Sequence, residues 1–273
     1  MKRFDDKLVL VTGGGSGIGR ETAIAFAKEG ARVLVTDIRE EGLRETKKRV
    51  EMVGGKCFTF LANVADGAAM RSLAATIEKE HGVVDVLVNN AGIGAAGRFL
   101  ETTLETWKKV FDVNLMGVVH GCHAFLPSMV SRGRGGHVVN LASLAGYFAA
   151  ADMPVYAASK FAVLGFSESL RADMAAHGIG VTAICPGIID TGIIASTILE
   201  GEMGKPGVRD EVQKLYTKRH YTPAQVAEAI VDAVRKNQAV RPVSPESWAM
   251  YYTKRLSPGL AAFVARRQSK MFR

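Results

Sequence analysis

The sequence predicts an α/β fold: one domain built on a doubly wound, seven-stranded parallel sheet with helices on both faces. Three observations carry this. Short apolar runs rich in β-branched residues recur at 7–12, 31–36, 56–61, 84–88, 138–142, 181–185 and 239–243. Stretches of helical period separate them, and strand–helix–strand alternation with right-handed crossovers yields a parallel sheet. The 273 residues, 48% of them hydrophobic, supply one large core.

The first strand runs into Gly13, Gly14, Gly15, Ser16 and Gly17, and Ile18 and Gly19 open a helix that continues to about 29. Glycines let a backbone approach a pyrophosphate, and the unpaired N–H groups of a helix start can bind it. A tight connection would use the same residues. The second strand ends at Asp37. An acid there can hold both hydroxyls of an adenosine ribose and repel a 2′-phosphate, which favours NAD over NADP. Arg39 keeps NADP open, and Asp37 could equally begin a turn. A helix is expected over 40–53. After the strand at 56–61, Asn63 and Val64 fall at the sheet edge where an adenine would lie. Met70, Leu73, Ala74 and Ile77 make one face of a helix over 66–81.

Asn89, Asn90, Ala91 and Gly92 follow the fourth strand. Short amides satisfy backbone groups where strands splay, and Gly92 permits close approach of a ligand. The long helical region 104–130 carries Asn114 in its interior, which predicts a kink or a bound water, with a satisfied core asparagine as the alternative. The strand at 138–142 ends at Ser143, and the next helix holds Tyr156 and Lys160 four residues apart on one face. A free tyrosine, with a pKa near ~10, is a poor base at neutral pH. An ammonium at about 4 Å and an effective dielectric of about 20 attracts a phenolate by on the order of 4 kcal/mol, roughly three pKa units. The tyrosine then sits where proton transfer is efficient. Ser143 could hydrogen-bond the same substrate oxygen. Together they suit alcohol/carbonyl interconversion, although Tyr-x-x-x-Lys is also common on ordinary amphipathic helices.

The strand at 181–185 ends in Pro186 and Gly187, with Thr191 four residues on. Residues 188–221, apolar and interrupted by glycine and threonine, read as a mobile substrate lid. Thr222 as cap and Pro223 at the first position open the last core helix, before the strand at 239–243.

The net charge of +8 is concentrated at the end: residues 246–273 hold six basic residues against one acid. No nucleic-acid motif accompanies it. Cys57, Cys122 and Cys185 are odd in number and embedded in apolar runs, as buried thiols of a reducing compartment are. The six histidines show no metal-ligand grouping, so no metal is expected. The first apolar run is too short for a signal peptide, and no uncharged apolar stretch is long enough to span a membrane. The expected location is cytoplasmic.

Thr12-Gly13-x-x-x-Gly17-x-Gly19, Asn89-Asn90-Ala91-Gly92, Asn114, Ser143, Tyr156-x-x-x-Lys160 and Pro186-Gly187, in this order, resemble the motifs of the short-chain dehydrogenase/reductase family over residues 7–243. The resemblance implies a single Rossmann-fold domain and an NAD(P)-dependent oxidoreductase acting on CH–OH groups. It implies Tyr156 as general acid/base, Ser143 polarising the substrate oxygen, Lys160 lowering the tyrosine pKa and binding the nicotinamide ribose, and Asn114 holding a proton-relay water. It implies a cofactor lined by Thr12, Gly13, Ser16, Gly17, Ile18, Gly19, Asp37, Asn63, Val64, Asn90, Ala91, Gly92, Pro186, Gly187 and Thr191, together with Tyr156 and Lys160.

Two departures stand out. Arg241, Pro242, Val243, Ser244 and Pro245 replace the glycine-rich segment that often packs between subunits of family tetramers, so the expected homo-oligomer is a dimer or a tetramer. The chain also continues beyond a 1–244 dehydrogenase domain as a basic amphipathic extension, 245–273. There Leu260, Phe263, Val264 and Met271 share a stripe beside arginines, which suits an anionic membrane surface. Docking on the body or on a partner subunit, with Trp248, Tyr251 and Tyr252 buried, is the competing expectation. The apolar lid, with Tyr147, Phe148 and Met153 near the catalytic residues, points to a small lipophilic alcohol or ketone oxidised or reduced with NAD(H). An NADPH-dependent 3-oxoacyl reductase and a non-catalytic NAD(H)-binding regulator are the alternatives.

Overall fold

The computed structural model describes residues 1, 3–189, 192–218 and 221–268. Apolar strands and amphipathic helices alternate as Leu8–Thr12 (β1), Gly17–Lys28 (α1), Arg32–Asp37 (β2), Glu40–Met52 (α2), Lys56–Leu61 (β3), Gly67–His81 (α3) and Val86–Asn89 (β4). Ala95–Ala96 (β5), Leu104–Phe111 (α4), Gly117–Arg132 (α5), Gly136–Leu141 (β6), Pro154–Met174 (α6) and Ile179–Pro186 (β7) follow. The chain then forms Ile193–Ser196 (α7), Ile198–Leu199 (β8), Val208–Lys218 (α8), Pro223–Lys236 (α9), Val240–Val243 (β9), Pro245–Leu256 (α10) and Pro258–Gln268 (α11).

Seven strands make one parallel sheet in the order β3-β2-β1-β4-β6-β7-β9. The connections run outward one way from β1 and the other way from β4. Between these two strands the carboxyl ends open a crevice, where such sheets bind ligands. Alternating strand residues supply two cores. Val9, Val11, Val33, Val35, Val88 and Val139 face α1, α2 and α9 through Phe26, Leu43 and Ile230. Leu10, Leu34, Leu87, Val138 and Val181 face α3, α5 and α6 through Met70, Phe125 and Val163. A strand buried on both faces carries apolar residues without alternation, which is why β1 reads LVLVT.

Local chemistry sets the helix ends. Asp66 caps α3 by accepting from the Ala68 and Ala69 N–H groups, and Thr222 and Gln225 form a capping box on α9 behind Pro223. Between α4 and α5 the helix widens into a π-helical turn, Asp112–Met116, with Asn114 at its centre and fully buried. The expected kink is therefore a wide turn, made where a polar side chain leaves the helix ladder. The continuous run Leu104–Arg132 is long and apolar enough to cross a membrane by composition alone. Val118, Cys122, Phe125 and Met129 of that run are core residues.

Beyond β7 the described part of the lid region is ordered by non-local contacts. β8 pairs in parallel with β5, and the Glu200 carboxylate accepts from the Thr103 N–H, Thr103 Oγ1 and Thr106 Oγ1. The extension docks on the body through α10: Ser247 is buried, and Met250 and Tyr251 pack on the second core. Trp248 is half-buried and stacked on an exposed Tyr252. In α11, Ala261 is buried and Val264 half-buried while Leu260 and Phe263 are exposed. Met271 lies outside the described residues.

Candidate active site

The glycine turn is held from three sides. Asn90 Nδ2 donates to the Thr12 and Gly13 carbonyls at 2.8 and 3.1 Å, and Thr12 Oγ1 accepts from the Asn90 and Ala91 N–H groups at 3.0 and 3.1 Å. Gly13 has φ 62° and Gly17 φ 50°, the left-handed region that glycine enters without strain. A Cβ at Gly19 would lie 2.2 Å from the Gly13 oxygen, so this helix start closes on the strand end only with glycine there. Arg20 and Thr46 complete the cradle: Arg20 donates to the Gly15 carbonyl, and Thr46 Oγ1 donates to the Gly14 carbonyl at 2.7 Å. The sequence reading missed both. Thr46, a buried hydroxyl on the apolar face of α2, was the available signal.

Asp37 is only 8% exposed, at the end of β2. Its carboxylate accepts from the Gly15 N–H at 3.0 Å and from the Arg39 N–H at 3.1 Å. The Arg39 guanidinium sits 3.6 Å from it and donates to Ser16 Oγ at 2.8 Å. These residues fit a dinucleotide. The amino end of α1 has no side-chain cap and no acid in its first turn, in contrast to the capped α3 and α9, so its N–H groups face the glycine turn for an anion. Ile18 is half-buried against the first core. Asn63 Oδ1 accepts from the Ala65 N–H at 3.0 Å, and the buried Val64 presents its carbonyl to His120 at 2.9 Å, both just past β3.

At the carboxyl ends of β4 and β6 a second group forms. Lys160 is buried on α6, its Nζ donating to the Leu141 carbonyl at 2.7 Å and lying 5.7 Å from the Tyr156 ring centre. Burial lowers its pKa to about 8. Tyr156, half-buried one turn earlier, shares that face. Asn114 Nδ2 donates to the Ile93 carbonyl and to Ser159 Oγ at 3.0 and 3.1 Å, and its Oδ1 accepts from the Ile93 N–H at 2.8 Å. A Cβ at Gly92 would come within 3.2 Å of Asn114 Oδ1 and 3.6 Å of Lys160 Nζ, so these three residues meet at one point.

Ser143, just past β6, accepts from the Ala145 N–H at 3.1 Å, and its own N–H faces the Cys185 sulfur, whose pKa burial raises to about 12. Pro186 ends β7, and Gly187 donates to the Val243 carbonyl at 3.1 Å. Thr191 lies outside the described residues. Asn89 differs from expectation. It satisfies a side chain, donating to Asn140 Oδ1 at 2.9 Å, and Asn140 donates to Ser167 Oγ at 3.0 Å. Tyr147 also points elsewhere: its hydroxyl donates to the Ser247 carbonyl of α10 at 3.0 Å, so this ring packs under the extension. His137 is buried against Thr182 Oγ1 at 2.8 Å, with its pKa lowered to about 3 by burial. Among the described residues no three His, Cys, Asp or Glu side chains group as metal ligands.

The family model for short chain dehydrogenase matches residues 7–200. "Probable oxidoreductase EphD" of Mycobacterium tuberculosis (strain ATCC 25618 / H37Rv) is 46% identical over 267 residues, 96% of this chain but 45% of that protein. The chain thus spans about half the length of that relative. Estradiol 17-beta-dehydrogenase 11 of Macaca fascicularis is 36% identical over 196 residues, covering 71% of this chain and 65% of that one. A solved structure of a short-chain dehydrogenase/reductase from Burkholderia phymatum in complex with NAD superposes with a TM-score of 0.84 at 29% identity, covering 95% of this chain and 96% of that one. The family model covers most of the chain and the relatives are alike along its length: the chain belongs to the short-chain dehydrogenase/reductase family of NAD(P)-dependent oxidoreductases.

Proposed function

We propose that this protein is an NAD(H)-dependent oxidoreductase that interconverts an alcohol and a carbonyl group on a small lipophilic substrate, with Tyr156 as the general acid/base. The observation that supports it most is the buried Lys160 ammonium 5.7 Å from the Tyr156 ring, with Asn114 of the π-helical turn meeting it at Gly92 and Ser143 two residues beyond the Leu141 carbonyl that Lys160 holds. In the oxidative direction, the phenolate of Tyr156 takes the substrate hydroxyl proton while hydride leaves the carbon. Ser143 Oγ donates to the same oxygen and orients it. Lys160 stabilises the phenolate, and Asn114 holds a water that relays the proton to solvent. A nicotinamide held in the glycine-turn crevice would supply the hydride acceptor.

The Asp37 carboxylate supports NAD. It is already held by two backbone N–H groups, fixed where a ribose diol can donate to it and a 2′-phosphate is repelled. Arg39, at its side, is the observation behind the NADPH alternative. A lipophilic substrate is supported by Phe99, Leu100 and Leu104, exposed on the segment that braces the lid region, and by the steroid in the name of the macaque relative. The free, buried cysteines fit the cytoplasm. The same reading includes contact of α10 and α11 with an anionic membrane through Leu256, Leu260 and Phe263.

A panel of long-chain, steroid and polyol secondary alcohols assayed with NAD and NADP, in wild type and Tyr156→Phe, tests the reading. Wild type turns over the lipophilic alcohols with NAD in preference to NADP. Tyr156→Phe loses at least about 100-fold in rate while NADH still binds, as loss of a general acid/base requires. Polyols as better substrates, preference for NADP, or an active Tyr156→Phe would each remove a part of the proposal.

A further inference from the structure

The first turn of α10 reaches back into the candidate site, and this rests on the dinucleotide reading above. After β9 the chain turns through Ser244 at φ 87° and ψ 152°, a conformation that residues with a side chain avoid. Ser244 is 3% exposed, and its hydroxyl has no protein partner. This costly turn aims Glu246 and Ser247 away from their own helix. Glu246 Oε1 accepts from the Ile188 N–H at 3.1 Å, beyond β7. Ser247 Oγ donates to the Cys185 carbonyl at 2.6 Å, and the Ser247 carbonyl accepts from the Tyr147 hydroxyl at 3.0 Å.

One helix turn therefore ties together the two segments that flank the reacting atoms, 185–188 and the loop after Ser143. Gly187 makes room for it: a Cβ there would lie 2.4 Å from Glu246 Oε1. A carboxylate serving only the helix dipole would turn to its own N–H groups. This one is spent on a loop 58 residues away. Hydride transfer requires the nicotinamide beside the carbon that Tyr156 and Ser143 hold, hence against the carboxyl end of β7.

We infer that Glu246 is a positioning residue that fixes the Gly187–Ile188 turn to receive the nicotinamide half of the cofactor, so that the C-terminal extension is part of the binding site. Equilibrium binding of NADH and of ADP-ribose, which lacks the nicotinamide, tests this by calorimetry on the full chain. Glu246→Ala weakens NADH by about tenfold, the loss expected for one charge-assisted hydrogen bond. It changes ADP-ribose by less than about twofold. Glu246→Gln keeps an acceptor oxygen and stays within about threefold of wild type for both ligands. Glu246→Asp, one methylene too short to reach the Ile188 N–H, reproduces the selective loss and decides the matter if Glu246→Ala does not fold. Unchanged NADH binding in Glu246→Ala, or equal loss of both ligands, overturns the inference alone. A wild type that binds neither ligand overturns the dinucleotide reading and the inference with it.

Discussion

Lys160 shows how much one side chain owes to its surroundings. Its spacing from Tyr156 is plain in the sequence, because a helix puts i and i+4 on one face. Its burial and its bond to the Leu141 carbonyl are not, since they depend on where α6 crosses β6. Burial lowers the lysine pKa to about 8 from the ordinary 10.5. Between these values the unfolded chain binds a proton that the folded chain has released, so stability rises with pH across that window and the penalty is complete below pH 8. That penalty is on the order of 3 kcal/mol, offset in part by the hydrogen bond. Lys160→Met therefore leaves stability at pH 7 unchanged or higher while activity falls at least about 100-fold. Urea midpoints from pH 7 to 10 check it: wild type climbs and Lys160→Met stays flatter. Parallel profiles, or a variant much less stable at pH 7, would show that the ammonium is better solvated than its burial implies.

At the scale of elements, the seven strands and their helices were legible because a sheet covered on both faces demands apolar runs, and helices demand a period. The pairing of β5 with β8 was not. Each strand is two residues long, and the partners lie about a hundred positions apart. Tyr147 illustrates the same limit. Nearness in sequence to Ser143 suggested a pocket wall, whereas its hydroxyl is claimed by α10, a hundred residues on.

The π-helical turn at Asp112–Met116 falls between. A polar residue inside a long helix announced a distortion, but not the segment it serves. Asn114 supplies the partner for both the N–H and the carbonyl of Ile93, which lies between β4 and β5. Asn114→Ala leaves both backbone groups and Ser159 without this partner, a loss of about 2–4 kcal/mol. Chemical denaturation measures it. A loss below about 1 kcal/mol would mean that water reaches Ile93 and that the turn is held by packing alone.

Over the whole molecule the charge is asymmetric, and the asymmetry coincides with apolar surface. Residues 246–273 carry six of the basic side chains against one acid. In the described part Tyr252 and Leu256 share a face of α10, Leu260 and Phe263 share a face of α11, and all four are exposed, Leu256 at 82%. Opposite them Ser247 and Tyr251 bind the body, so one side of the extension docks as expected and the other is left outward. The exposed ion pair of Arg255 with Glu168, 3.7 Å long, is too weak to neutralise this end.

In the described part Lys254, Arg255 and Arg267 contribute about 1 kcal/mol each near an anionic surface. Partial burial of three large apolar side chains adds a few more. A total on the order of 5 kcal/mol corresponds to reversible binding near millimolar lipid. The full chain should co-sediment with vesicles containing phosphatidylglycerol, release in high salt as screening predicts, and ignore vesicles of phosphatidylcholine alone. Leu256→Ser combined with Phe263→Ser should weaken sedimentation without changing NADH affinity, because neither residue faces the crevice. Equal binding to neutral vesicles would point to an apolar contact without charge. No binding to either composition, with a stable dimer in solution, would hand the outward face to a second copy of the chain.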